Sequence, residues 1–180
     1  MGTFGEASWD MVVSGAGVPP QTVKAYYKNN KVRLEMAAGG QNVIMIADND
    51  AKVAYMYIPD QNAAMKMSTA QFQQQQQGNT GDAGAVAQEA EKGKLVGQET
   101  VDGKVCDVYE YMTSAGATKS WIWREKGFPL KSEVTMAQCK VTTEFKNVSF
   151  DPVSDSLFQL PSGVQVTDFG SLPGGIPQKP

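Results

Sequence analysis

The stretch Val43-Ile44-Met45-Ile46-Ala47-Asp48-Asn49-Asp50, continued by Val53-Ala54-Tyr55-Met56-Tyr57-Ile58, decides the fold. Each half is a short apolar run of strand length, and Asp48-Asn49-Asp50 between them is turn chemistry, because Asp and Asn side chains bond nearby backbone. Successive side chains of a strand point to opposite faces. Val43, Met45 and Ala47 therefore oppose Ile44 and Ile46, while Val53, Tyr55 and Tyr57 oppose Ala54, Met56 and Ile58. A strand that is apolar on both sides has both faces covered. The reading is a hairpin deep in a sheet, with material packed over each side.

Moving outward, the same rhythm of short runs and turns continues. Lys31 to Met36 alternates, with Val32, Leu34 and Met36 on one face and Lys31, Arg33 and Glu35 on the other. Asn29-Asn30 before it and Gly39-Gly40 after it are hairpin turns. Upstream, Trp9 to Ser14 predicts a strand closed by Gly15-Ala16-Gly17 and Pro19-Pro20, and Thr22 to Lys28 predicts a second. Downstream, Leu95 to Thr100 leads through Asp102-Gly103 to Val105–Met112, Thr118–Arg124, Phe128–Met136 and Cys139–Phe150. In that last run the apolar phase flips from Cys139, Val141 and Phe145 to Val148 and Phe150, which predicts a bulge near Asn147. About ten or eleven strands without a βαβ rhythm make an antiparallel, mainly β sheet, and a sheet of that many strands must curl.

One segment breaks the pattern. Ser68 to Lys92 holds the glutamines Gln73 to Gln77, a Gly/Asn/Asp patch, and the helix formers of Ala85 to Lys92. It predicts one or two short helices joined by a mobile loop, acting either as a lid over the sheet or as an inserted linker. Phe72 and Val86 offer it little apolar surface for anchoring. Residues 1–170 read as a single domain, and 171–180, rich in Gly and Pro, as a flexible tail.

The chain has 180 residues, 41% hydrophobic and 19% charged, with a formal net charge of −3. That is the composition of a globular domain with a real core. The pI of about 5.0 gives no basic stripe for nucleic acid, and no run approaches a membrane-spanning length. Histidine is absent, which removes the commonest general base and metal ligand. No nucleophile elbow, phosphate loop or paired carboxylate stands out, and Asp48 and Asp50 lack the ligand spacing of a calcium loop. The expectation is a protein that is no enzyme, with no catalytic residue, metal or cofactor. Cys106 and Cys139 form an even pair that fits one disulfide in an oxidising compartment, or two buried thiols. No export signal is visible, so the chain is either cytosolic or the mature part of a secreted protein.

Methionines carry the functional signal. Met36, Met45, Met56, Met65, Met67, Met112 and Met136 fall in the expected strands, and unbranched, polarizable Met suits a surface that receives variable apolar ligands. Tyr55, Tyr57, Tyr109, Tyr111, Trp121 and Trp123 add broad amphipathic area. Each residue alone reads as soft core. As a set they point to a cavity, with Met36, Met45, Met56, Tyr57, Trp121 and Trp123 as the expected lining.

The order of these elements resembles the periplasmic lipoprotein carriers of the LolA/LolB type. The resemblance rests on Ala25-Tyr26-Tyr27-Lys28, Val32-Arg33-Leu34-Glu35-Met36, Val43 to Asp48, Val53 to Pro59, Phe128-Pro129-Leu130-Lys131, and Leu157-Phe158-Gln159-Leu160-Pro161-Ser162-Gly163-Val164. It implies an unclosed antiparallel β half-barrel of about eleven strands with short helices covering the concave face. It also implies a cavity for the acyl chains of a lipid or lipoprotein, and a periplasmic location after signal removal. The family's early-strand arginine, which holds the lid, falls here near Lys28-Asn29. The remaining reading is a structural or partner-binding domain of the cell envelope, working through a sheet edge or the glutamine-rich segment.

Overall fold

The computed structural model describes residues 5–15, 17–75, 83–137 and 139–168. The expected tail over 171–180, the expected loop between the two helices, and Ala16 lie outside them. The strands are β1 (Glu6–Gly15), β2 (Val18–Lys28), β3 (Lys31–Ala38), β4 (Gln41–Asp48), β5 (Val53–Ile58), β6 (Ala63–Ser68), β7 (Lys94–Val101), β8 (Lys104–Thr113), β9 (Gly116–Trp123), β10 (Phe128–Thr135), β11 (Lys140–Ser149) and β12 (Gln165–Asp168). Two short helices, α1 (Thr69–Gln75) and α2 (Ala83–Glu91), separate β6 from β7.

All twelve strands form one open sheet in the order β12-β6-β5-β4-β3-β2-β1-β11-β10-β9-β8-β7. Pairing is antiparallel except for β12, which runs parallel to β6. The mainly β, unclosed sheet is thus as expected. β12 is one strand beyond the expected set, short enough to hide within the closing segment.

Local chemistry sets the hairpins. Asn29 and Asn30, Gly39 and Gly40, and Asp102 and Gly103 all have positive φ, the requirement of the two-residue turn that matches strand twist. The phase flip in β11 is a bulge: Asn147 has φ +50°, and the register with β1 slips between Ser8 and Asp10. Pro19 and Pro20 do not end a strand as expected but lie inside β2. β3 pairs with β2 only from Val23 to Lys28, so the prolines face no β3 partner that needs their missing N–H.

The sheet curls around one apolar core. Buried residues from β1–β4 and β8–β11, including Trp9, Leu34, Met45, Val108 and Phe145, belong to a single cluster. Phe128 is its hub, with edge-on contacts to Trp9 at 5.3 Å, Phe145 at 6.0 Å and Phe150 at 5.8 Å. Such arrangements favour the positive ring edge against the negative face.

Both sides of the decisive hairpin are covered, by different parts of the chain. Phe72 of α1 packs with Ala47, Ala54, Met56, Met65 and Met67 on the concave side. On the other side Ile44 and Ile46 meet Val153, Leu157, Phe158 and Leu160, from the segment that follows β11. That segment is tied down by charge. Lys28 donates to the Val153 carbonyl at 2.8 Å and pairs with Asp155 at 3.0 Å and Glu6 at 3.4 Å. Arg33 donates to the Leu157 carbonyl at 2.8 Å, and Glu6 accepts the Val153 N–H at 2.7 Å. Lys28 therefore clamps the convex cover.

The expected disulfide is not formed; Cys106 and Cys139 are free thiols. Cys106 of β8 stands opposite Trp123, whereas Cys139 follows β10 beyond the end where Met112, Ala117 and Thr135 align. At about 3.3 Å per residue the two ends lie on the order of 20 Å apart, far beyond the ~7 Å Cα separation a bridge tolerates. Burial pushes the Cys106 thiol up, as for an inert core cysteine.

Candidate functional site on the concave face

The concave side of β3–β6 is built from alternating residues in register. Leu34 faces Met45, Met45 faces Met56, and Met56 faces Met65, a row of flexible side chains across four strands. Met36 lies beside Val43 one step along. Alanines fill the adjoining row, where Ala47 faces Ala54. The helices close over this face. Phe72 and Val86, read from sequence as weak anchors, both pack against the main core cluster, and Ala83 and Ala90 of α2 are fully buried.

Three of the expected lining residues come together here. Met45 is buried, and Met36 and Met56 are half-buried beside it. The other three are outside this row, although Trp121 is buried in the core cluster that holds Met45 and Trp123 packs against it. Tyr57 follows Met56 and so points to the opposite side, buried across from Ile44 and Ala64. Trp121 sits in a polar cage: its indole N–H donates to Glu99 Oε2 at 2.8 Å, and the ammonium groups of Lys131 and Lys119 lie 4.6 Å and 5.0 Å from its ring. The Trp121 hydrogen bond, seconded by Lys119, holds the Glu99 carboxyl below its usual range although burial opposes the shift. Trp123 packs against Phe150 at 6.1 Å with Lys104 over its ring.

Beside α2 lies a cleft of about 250 Å³, with Val86 on one wall and Tyr111, Thr118, Ser132, Val134 and Phe145 on the sheet side. Its floor is a relay of neutral hydroxyls. Tyr111 and Ser120 are 3.0 Å apart, Ser120 and Ser132 3.0 Å, and Thr113 and Thr118 3.3 Å. Burial pushes the Tyr111 phenol up, so it stays protonated well past neutral pH. Ser120 is fully buried. Sequence reading missed this set because Ser and Thr in an alternating strand read as solvent-facing; their spacing against Trp121 and Trp123 was the available signal.

Trp9 has no such signal in the sequence. It is 2% exposed, and its indole nitrogen has no hydrogen-bond partner among the described residues. Buried donors are nearly always paired. Here an N–H is left open in the core that the helices cover.

No protein-family model and no curated relative matches the sequence. Solved structures share the architecture. An uncharacterized conserved protein from Thermus thermophilus aligns with TM-score 0.63 at 12% identity, over 89% of this chain and 90% of that one. LprF from Mycobacterium bovis aligns with TM-score 0.50 at 14% identity, over 90% and 91%. MucB, in its complex with MucA from Pseudomonas aeruginosa, aligns with TM-score 0.54 at 15% identity, over 90% of this chain and 58% of that one. At these identities the likeness is one of fold.

Proposed function

We propose that this chain is a non-enzymatic periplasmic carrier of the lipoprotein-carrier type, holding the acyl chains of a lipid or lipoprotein against its concave face beneath α1 and α2. The observation that carries this reading is the Trp9 N–H, buried in the apolar core with no partner among the described residues. A donor left open costs about 1–3 kcal/mol, and the ester carbonyl of an acyl ligand would satisfy it. The methionine row supplies adaptable contact for the chain itself. At ~25 cal/mol per Å², a chain burying ~300 Å² gains several kcal/mol, and the same effect drives release to a more apolar acceptor. The resemblance of the sequence to carriers of the LolA/LolB type supports the reading.

The test is native mass spectrometry of protein purified by mild extraction, followed by reloading of the stripped protein with a diacyl lipid. Copurified lipid is expected, with weaker retention in Trp9→Phe at little change in thermal stability. Equal lipid retention by Trp9→Phe and the wild type would remove the role of the indole, and protein that never takes up lipid would end the carrier reading.

A second reading, a partner-binding envelope domain, draws on β7. It is the last strand of the sheet and exposed along most of its length, with Leu95 53% and Val96 41% exposed. An extended segment of another protein could add to such an edge. That reading predicts a stable protein complex from pull-down and no lipid.

A further inference from the structure

The cleft beside α2 lies on the same side of the sheet as the methionine row. Residues directly opposite one another on neighbouring strands share a face. Phe145, on the cleft wall, stands opposite Met11, Met11 opposite Val23, and Val23 opposite Met36. Three strand spacings, about 15 Å, therefore separate the cleft from Met36 along one row. The neighbouring row runs through Ser120, Ser132 and Thr143 to Val13, carrying hydroxyls until it reaches β1. Val86 of α2 lines the cleft and also packs against the main core cluster, so the same helix bounds both.

The chemistry of the wall is neutral. Among the described residues no lysine or arginine lines the cleft, and its one carboxylate, Glu89, is paired with Lys92. An anion there would lose water, gain no counter-charge and meet Glu89 instead. Tyr111, Ser120 and Ser132 are linked by two contacts of 3.0 Å. Each hydroxyl has one hydrogen and two lone pairs. Even with every hydrogen spent inside the trio, lone pairs remain, and Tyr111 and Ser132 bring theirs to the cleft. Thr143 adds a hydroxyl with no hydrogen-bond partner among the described residues. The wall therefore accepts more hydrogen bonds than it donates. Alcohol O–H groups answer that surplus, whereas esters and ethers have no hydrogen to give.

We infer that this cleft holds an uncharged polyol, the headgroup of an amphiphile whose acyl chain runs from Phe145 toward Met36 and the methionine row. This rests on the carrier reading and names the ligand's polar end. Ser132 and Tyr111 accept from its hydroxyls, Thr143 donates and accepts, and Val86, Val134 and Phe145 cover its carbon side. Each neutral hydrogen bond of this kind is worth about fivefold in affinity.

The experiment compares stripped wild type with Thr143→Val and Ser132→Ala, by native mass spectrometry and isothermal titration. The probes are monooleoylglycerol, methyl oleate and oleate, which share one chain and differ in the head, together with free glycerol. Thr143→Val keeps the shape of a half-buried side chain and breaks no hydrogen bond of the fold, so its thermal transition stays intact. Ser132→Ala leaves Ser120 its contact with Tyr111. The expected result is that wild type prefers monooleoylglycerol to methyl oleate and oleate by about tenfold. Each variant should bind monooleoylglycerol about fivefold more weakly, with methyl oleate binding unchanged. If wild type and variants bind monooleoylglycerol and methyl oleate alike, the carrier stands and the polyol site is overturned. A preference for oleate overturns the uncharged headgroup in the same way. If no lipid binds but glycerol binds and is lost in the variants, the cleft takes a free polyol, and the headgroup assignment falls together with the carrier reading. If none of the four probes binds, both are overturned.

Discussion

The two covers of the β3–β6 sheet are made in different ways. The convex cover, from Val153 to Leu160, combines an apolar plug with charged clamps: Val153 and Phe158 seat on Ile46 while Lys28, Arg33 and Glu6 hold the backbone. The concave cover has two short helices that meet the sheet through Phe72, Val86, Ala83 and Ala90. Small side chains bury little area, and contact area is what holds a helix of this length to a sheet. The contrast teaches which side is built to stay and which can yield.

The largest effect expected from breaking this contrast is at Phe158. Phe158→Ala removes a nearly buried ring from the convex plug and should cost about 3 kcal/mol, read as a lower urea midpoint at unchanged m. A loss below about 1 kcal/mol would show that the convex cover is no part of the cooperative fold.

A smaller effect is expected on the other side, at Gly93. A Cβ there would sit 2.7 Å from the Glu110 carbonyl oxygen and 2.9 Å from the Tyr111 Cβ, so the chain leaving α2 must move. Gly93→Ala should cost about 1–2 kcal/mol, with faster amide exchange confined to α2 and β8. Exchange that quickens across the whole sheet would instead make α2 as integral as the convex cover.

The smallest effect concerns pH. The hydrogen bond of Lys28 to Asp155 raises its pKa above the ordinary 10.5, against burial and with help from Glu6. A raised folded pKa gives stability that is fully present below 10.5 and is lost as pH rises through the folded value. The melting temperature of the wild type should therefore approach that of Lys28→Met only in strongly alkaline solution. A gap between the two that stayed constant across that range would mean the clamp contributes nothing through its charge.

Much of this was legible in the residues. The hairpin turns could be read because Asn-Asn, Gly-Gly and Asp-Gly supply positive φ locally, and the Asn147 bulge because alternation changes phase there. The gathering of Met36, Met45 and Met56 follows from alternation plus antiparallel pairing. Tyr57, the neighbour of Met56, faces the opposite side, as alternation requires. Trp121 was harder. Its strand position is readable, but the Glu99 and Lys131 that enclose it come from strands whose register only the folded sheet fixes.

What the sequence determined by itself is the alternation: which side chains share a face, where the chain turns, and that the Val43–Ile58 hairpin has two dry sides. These are properties of neighbours a few residues apart, set by backbone geometry. What covers each side, whether the cysteines meet, and that Trp9 finds no partner among the described residues were decided only by tertiary structure. Those outcomes depend on groups as distant as Lys28 and Val153, 125 residues apart, and no local preference encodes the meeting of two such points.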